Sequence, residues 1–245
     1  MKKNIISLLI LMAPALAFAS GGVHLEKADI NLHNKASLQR GARLFVNYCL
    51  SCHSAAYMRY NRMGQDLGLT DIQVTDNLMF ASEKIGQPMT VAMPASQAKN
   101  WFGKKVPDLT VVARARGADW LYSYLRGFYL DESRPWGVNN TVFKDVGMPH
   151  VLWDLQGLKK PLYETYTDHD GNEAKRITGF EVAVPGTMTE AEYDKAVNDL
   201  VNFMVYMGEP AKLERYTIGI WVMLYLIILF VVAYAMKKEF WKDIH

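Results

Sequence analysis

Cys49-Leu50-Ser51-Cys52-His53 contains the only two cysteines of the 245-residue chain and ends in a histidine. A C-x-x-C-H pentad is the attachment pattern of a c-type haem. Its spacing lets both thiols add to the two vinyl groups of one porphyrin, and the following histidine is delivered beneath the ring as the proximal iron ligand. The bare C-x-x-C has competing readings. A zinc site needs more ligands and usually a second cysteine pair, which the composition lacks. A thioredoxin-type redox pair comes with a βαβ pattern that the flanking residues do not show, and a disulfide leaves His53 unexplained.

Outward from the pentad, Leu38, Ala42, Phe45 and Cys49 recur at helical spacing, so the cysteines leave the end of an amphipathic helix. Gly41 on the same stretch permits a close helix crossing. Thr189-Glu190-Ala191-Glu192 is a capping box, and the apolar positions Tyr193, Val197, Leu200, Val201 and Met204 continue it as a second helix that Gly208-Glu209-Pro210 ends. Ala118–Leu125 reads as helix, and Thr167–Val184 as a hairpin turning at Asp170-Gly171-Asn172. Two helices around a loop-rich middle suit a haem protein, because the cofactor fills much of its core.

The two ends of the chain are apolar for different reasons. Lys2 and Lys3 precede the run Ile5–Met12, and Ala17-Phe18-Ala19 offers small residues to a signal peptidase, with cleavage expected after Ala19. Export places the mature chain in an oxidising compartment, where no spare cysteine exists for a disulfide, so both thiols are free for haem. Tyr216–Met236 carries no charge and is long enough to cross a bilayer. Tyr216, Trp221, Tyr234 and Trp241 are placed as interfacial anchors, and Lys237, Lys238 and Lys242 follow on the side that the positive-inside rule makes cytoplasmic. The organisation expected is a signal peptide over residues 1–19, a periplasmic haem domain over 20–213, an anchor helix over 214–237 and a cytoplasmic tail over 238–245. That is a single-pass protein of the bacterial inner membrane, in contact with lipid. A net charge of +2 excludes a nucleic-acid partner.

A sixth iron ligand is harder to place among thirteen methionines, most of which fill the core. Met148 in Gly147-Met148-Pro149 and Met93 in Met93-Pro94 stand in turn-prone strips, and Met188 directly precedes the last soluble helix. His150 is also near, but a lone histidine in a loop more often supports a site than ligates. Residue chemistry leaves Met148 and Met188 level. A His/Met-ligated iron transfers one electron, with no substrate bond made or broken. A free-standing membrane-anchored electron shuttle shares the pentad and anchor. A haem sensor or catalyst needs a displaceable sixth ligand.

The motifs in order are the signal peptide, C-x-x-C-H, Tyr57-Met58-Arg59-Tyr60, Val106-Pro107-Asp108-Leu109-Thr110, Arg114-Ala115-Arg116, Gly147-Met148-Pro149 and one terminal anchor. Across nearly the whole mature chain this resembles bacterial cytochrome c1, the haem subunit of the quinol–cytochrome c oxidoreductase, or bc1, complex. The resemblance implies a mainly α, cytochrome c-like haem domain with loop insertions and a short hairpin, one C-terminal transmembrane helix, and one covalently bound haem c. It selects Met148 over Met188 as the sixth ligand beside His53. It also puts Pro107-Asp108-Leu109 at the haem pocket and Arg116 at a haem propionate. By the same resemblance the electron arrives from the Rieske iron–sulfur subunit and leaves to a cytochrome c, while cytochrome b holds the anchor, so the chain is the electron-transfer subunit of an enzyme and has no substrate chemistry of its own. Three departures stand out: Val106 where many relatives have proline, Trp120 near an aromatic that meets a propionate in some, and no cysteine left for the disulfide of others. Asp131 and Glu132, in the loop before Arg134-Pro135-Trp136, read as a solvated loop, with an acidic docking spot for a basic cytochrome as the alternative.

Overall fold

The computed structural model describes residues 24–91, 93–167 and 171–243. The expected signal peptide and the Asp170 position of the expected hairpin turn lie outside the described residues.

Two helices form the frame. Helix α1 (Lys35–Leu44) starts where the Asn34 side chain accepts a hydrogen bond from the Ser37 amide, which satisfies one of the free N–H groups at its N-terminus. It runs into a π-helical turn, Phe45–Cys49, closed by the Leu50 amide donating to the Phe45 carbonyl at 2.9 Å. Four short helices follow: α2 (Tyr60–Leu67), α3 (Asp71–Leu78), α4 (Ala95–Phe102) and α5 (Val112–Arg116). Next come α6 (Ala118–Arg126) and the single turn α7 (Trp153–Gln156). The second frame helix, α8 (Glu190–Gly208), opens with the expected capping box: the Glu192 amide donates to the Thr189 hydroxyl, and the Glu192 carboxylate accepts from the Thr189 amide at 2.9 Å.

Helices α1 and α8 cross at Gly41. A Cβ there would lie 2.1 Å from the Asp199 carbonyl oxygen and 2.7 Å from the Phe203 Cβ, so only glycine allows this approach. The crossing is sealed by Arg40, whose guanidinium donates to both carboxylate oxygens of Asp199 at 2.6 and 3.0 Å. The four apolar positions read from the helical period, Leu38, Ala42, Phe45 and Cys49, are all buried, and the Phe45 and Phe203 rings lie 5.6 Å apart. Residues 26–31 strap across α6 and α8 through side-chain acceptors: Ser123 takes the Glu26 amide, Asp119 that of Ala28, Asn198 that of Asp29 and Asn202 that of Asn31.

Among the described residues the strands make three separate two-stranded pieces. They pair β1 (Ala55–Arg59) with β2 (Pro88–Met89), β3 (Phe128–Leu130) with β4 (Val138–Asn140), and β5 (Gly157–Thr167) with β6 (Glu173–Pro185), all antiparallel. The last is larger than the short hairpin expected, because its first strand draws on residues 157–166, ahead of the stretch that read as β. Lys159, Lys160 and Pro161 obscure the alternation there, since Val182 and Phe180, the partners of Lys159 and Pro161, supply the apolar character across the ladder and Glu181 pairs with the Lys160 charge.

Helix α9 (Lys212–Phe240) encloses the apolar run Tyr216–Met236 and extends beyond it at both ends. Its 29 residues rise about 43 Å, more than the ~30 Å hydrocarbon core, and none of the apolar window is buried in the chain.

Candidate haem site

The C-x-x-C-H pentad sits where the π-helical turn ends. The Cys52 and His53 amides both donate to the Cys49 carbonyl, at 3.1 and 2.8 Å, which coils the two thiols and the imidazole into one turn. Cys49 is buried, Cys52 is partly exposed and the two are not bonded to each other. Burial and the neighbouring Cys52 push the Cys49 thiol up to about 12. A redox-active C-x-x-C needs a lowered thiol, so this one lacks the activation of a disulfide exchanger.

His53 is held by a second segment. Its Nδ1 lies 2.8 Å from the Pro107 carbonyl oxygen. Such an acceptor fixes the proton on Nδ1 and turns the bare Nε2 outward, the tautomer of a metal-bound imidazole. Burial holds the His53 pKa below its ordinary value, with the Pro107 carbonyl and the Asp108 charge acting the other way, which favours the neutral, ligating ring. Asp108 is a staple: its carboxylate accepts from the Ala56 and Thr110 amides, each at 2.8 Å, and from the Thr110 hydroxyl at 2.6 Å. The Leu109 amide donates to the Ser54 carbonyl and the Val91 amide to the Ser54 hydroxyl, so both sides of the pentad's exit strand are tied down. Pro107 thus contributes through its carbonyl, and sequence spacing alone had no means of showing that.

Met148 belongs to another wall. It packs against a small cluster of Phe128, Val138 and Val146, and the Tyr124 hydroxyl donates to its sulfur at 3.4 Å. Burial raises the Tyr124 pKa, which keeps the hydroxyl protonated and able to donate. The loop carrying Met148 is shaped by two buried asparagines of β4. The Asn140 side-chain oxygen accepts from the Val142 and Phe143 amides and its nitrogen donates to the Tyr124 carbonyl, while the Asn139 oxygen accepts from the Asp145 amide. Asp145 takes a positive φ of 60°, and Arg134 pairs with its carboxylate at 3.0 Å. Neither asparagine nor Tyr124 stood out in the sequence; the adjacent pair Asn139-Asn140 was the available signal.

Arg116 joins this wall through an aromatic stack. Its guanidinium lies 5.0 Å from the Trp120 ring centroid and 6.0 Å from that of Phe143, and Trp120 stacks on Tyr124 at 4.9 Å and 9°. Arg114 faces elsewhere, its stem 3.2 Å from the point a Gly208 Cβ would occupy. The other two methionine candidates sit apart. Met188 packs against the main core, its amide donating to the Leu155 carbonyl, and Met93 lies at a bend before α4. His150 is buried, stacks on Phe128 at 4.8 Å and has no hydrogen-bond partner at Nε2 among the described residues.

The donor set of two thiols, a tautomer-fixed imidazole and a thioether on a separate loop fits a covalently attached haem. The profile of the cytochrome C1 family matches residues 26–170 and 182–244. The chain belongs to the cytochrome c1 family. Cytochrome c1 of Allochromatium vinosum is 49% identical over 246 residues, covering 100% of both chains. The protein named ammonia monooxygenase gamma subunit in Nitrosomonas europaea is 47% identical, covering 97% of each. A protein named cytochrome b/c1 in Bradyrhizobium diazoefficiens is 25% identical over 86% of this chain, which spans 34% of that longer protein. As a cytochrome c1 the chain carries covalently bound haem c and is a membrane-anchored electron-transfer component of an oxidoreductase complex.

Proposed function

We propose that this cytochrome c1 relays single electrons from a Rieske iron–sulfur subunit to a cytochrome c within a ubiquinol–cytochrome c reductase, the bc1 complex. Cys49 and Cys52 would hold the haem by thioether bonds, and His53 and Met148 would ligate its iron. Bound haem contributes one reversible ferric–ferrous electron. The observation that carries the residue assignment is the His53 Nδ1 contact to the Pro107 carbonyl, because it presents Nε2 from a turn that Asp108 and Ser54 hold rigid. A fixed first coordination sphere keeps reorganisation small on each electron passage. Arg116, held against the Trp120 ring, would offer a guanidinium to a propionate, with bidentate geometry that lysine lacks.

Membrane placement follows the same reading. The haem domain faces the periplasm after removal of residues 1–19, and α9 spans the bilayer against cytochrome b with Lys237, Lys238 and Lys242 on the cytoplasmic side. A relative named for both cytochrome b and c1 supports that neighbour. The test is purification of the tagged full chain from detergent-solubilised membranes. Co-elution with a cytochrome b and an iron–sulfur protein, haem staining that survives denaturing electrophoresis, and no carbon monoxide adduct of the ferrous form are expected. Elution alone points to a free-standing shuttle, carbon monoxide binding to a sensor or catalyst, and co-elution with a monooxygenase to the assembly named for the Nitrosomonas relative. Loss of covalent staining in Cys49→Ala/Cys52→Ala is the control for attachment.

A further inference from the structure

Three polar atoms in the segment that follows Met148 are buried and have no hydrogen-bond partner among the described residues: His150 Nε2, Asp154 Oδ1 and Gln156 Oε1. The segment is compact, because the Trp153 amide donates to the His150 carbonyl and α7 follows at once. His150 is only 6% exposed. Against the burial that lowers its pKa, the Gln156 side chain and the Asp154 charge raise it, so each stands close to the ring. The other ends of these two side chains are engaged. Asp154 Oδ2 accepts from the Tyr48 hydroxyl at 2.9 Å, and Gln156 Nε2 donates to the Arg126 carbonyl at 3.0 Å. A carbonyl only accepts, so Arg126 fixes which end of the Gln156 amide faces it and leaves the oxygen as the unpaired atom. The three atoms are therefore two acceptors and one imidazole nitrogen, which can donate to only one of them.

We propose that His150, Asp154 and Gln156 hold one internal water molecule, and that this water joins the turn carrying Cys49 to the loop carrying Met148. The hydrogen count matches. Water donates twice, to Asp154 Oδ1 and Gln156 Oε1, and accepts once, from Nε2–H of the neutral imidazole. Three hydrogen bonds are the usual complement of a buried water, and each of these atoms left unpaired would bear its full desolvation cost. Tyr48 stands beside Cys49 in the π-helical turn, while the His150 ring stacks on Phe128, against which Met148 packs. The bridge thus runs from Tyr48 through Asp154 and the water to His150, with a third arm through Gln156 to α6 at Arg126. A cleft lined by Gln156, Lys159, Pro185, Met188 and Tyr193 opens beside it and gives water a way in. The three residues are positioning residues, acting on Met148 through Phe128 and the loop backbone. Only this second half of the inference rests on Met148 as an axial donor.

The experiment uses the full chain with its haem in the detergent-purified complex, as wild type and as His150→Phe/Gln156→Met. That pair keeps a ring on Phe128 and similar side-chain volumes while removing two of the water's three partners. A high-resolution map of the wild type is expected to show a single peak about 2.7–3.2 Å from all three atoms, and that of the variant none. The near-infrared sulfur-to-iron band of the ferric variant should weaken, and its ferrous form should bind carbon monoxide that the wild type excludes. Tyr48→Phe cuts the bridge at its Cys49 end, so it should keep the peak and weaken the band to a smaller degree. Leu67→Ala opens a cavity in α2 and lowers stability without touching the bridge, so it should leave the band unchanged. A direct His150–Gln156 hydrogen bond with no peak overturns the water site, and so does a peak about 2.0–2.2 Å from the three atoms, which is a metal ion. A peak lost from the double variant with band and carbon monoxide exclusion intact overturns the bridge. Equal weakening of the band in Leu67→Ala also overturns it, by assigning the effect to stability. The map reads the water whatever ligates the iron, whereas a wild type without the band fails the Met148 assignment alone.

Discussion

Gly41→Ala puts a methyl group into the α1–α8 crossing, 2.1 Å from the Asp199 carbonyl oxygen and 2.7 Å from the Phe203 Cβ. Ordinary contacts there begin at 3.4 Å, so the helices must part by about 1 Å. A gap of that size forfeits roughly a quarter to a half of the dispersion energy across the seam, and overpacking of this kind costs about 1–3 kcal/mol. Parting also draws Arg40 off Asp199, whose carboxylate side chain is only 7% exposed and stays behind without its bidentate partner. Against these stands the better helix propensity of alanine, worth about 1 kcal/mol. With about 1–2 kcal/mol for the carboxylate left unpaired, the balance is a loss of roughly 1–4 kcal/mol, which for a chain of this size lowers Tm by about 2–16 °C. The assay is a far-ultraviolet circular dichroism melt of the full chain in detergent at one scan rate, with Gly86→Ala as control because nothing lies within 4 Å of its Cβ position. If Gly41→Ala melts within about 1 °C of the wild type while keeping its haem, the crossing does not depend on glycine and the packing argument fails.

Replacing Met148 with leucine should abolish the near-infrared sulfur-to-iron band of the ferric protein, lower the potential and open the ferrous form to carbon monoxide, whereas Met188→Leu, a volume-conserving swap in the core, should keep the band and cost under ~1.5 kcal/mol. Tyr124→Phe removes the hydrogen bond that draws electron density from the Met148 sulfur. Potentiometric titration should show the potential falling by on the order of 20–40 mV, the equivalent of one weak hydrogen bond, with the band retained. Burial pushes the His150 pKa down from 6.5 to about 4, so between those values the unfolded chain binds a proton that the folded chain refuses. Stability should therefore fall as pH drops through that window, by on the order of 3 kcal/mol, and His150→Gln should flatten this part of a Tm-against-pH profile.

Much of the fold was legible because its signals are local. The capping box at Thr189–Glu192 and the apolar period of α8 are contained within one helix, and the uncharged run of α9 states its solvent outright. The π-helical turn at Phe45–Cys49 was not legible: its apolar spacing is that of an α-helix, and the widened hydrogen bond is decided by how Cys49 must meet the core. The β5–β6 hairpin was half legible, since Lys159, Lys160 and Pro161 break the alternation and only pairing with β6 makes that stretch a strand.

By itself the sequence determined the covalent chemistry, because Cys49, Cys52 and His53 are neighbours along the chain and their spacing is a property of the backbone. It also determined the anchor, because a run without charges has one compatible solvent. Only the tertiary structure decided what surrounds that chemistry. Pro107 reaches His53 from fifty-four positions away, Tyr124 reaches Met148 from the far side of the β3–β4 pair, and Lys104 comes to lie on Gly147. None of these pairs has a signature in spacing, since each forms when separate segments close over a shared core, and which side chains then meet depends on packing summed over the whole domain.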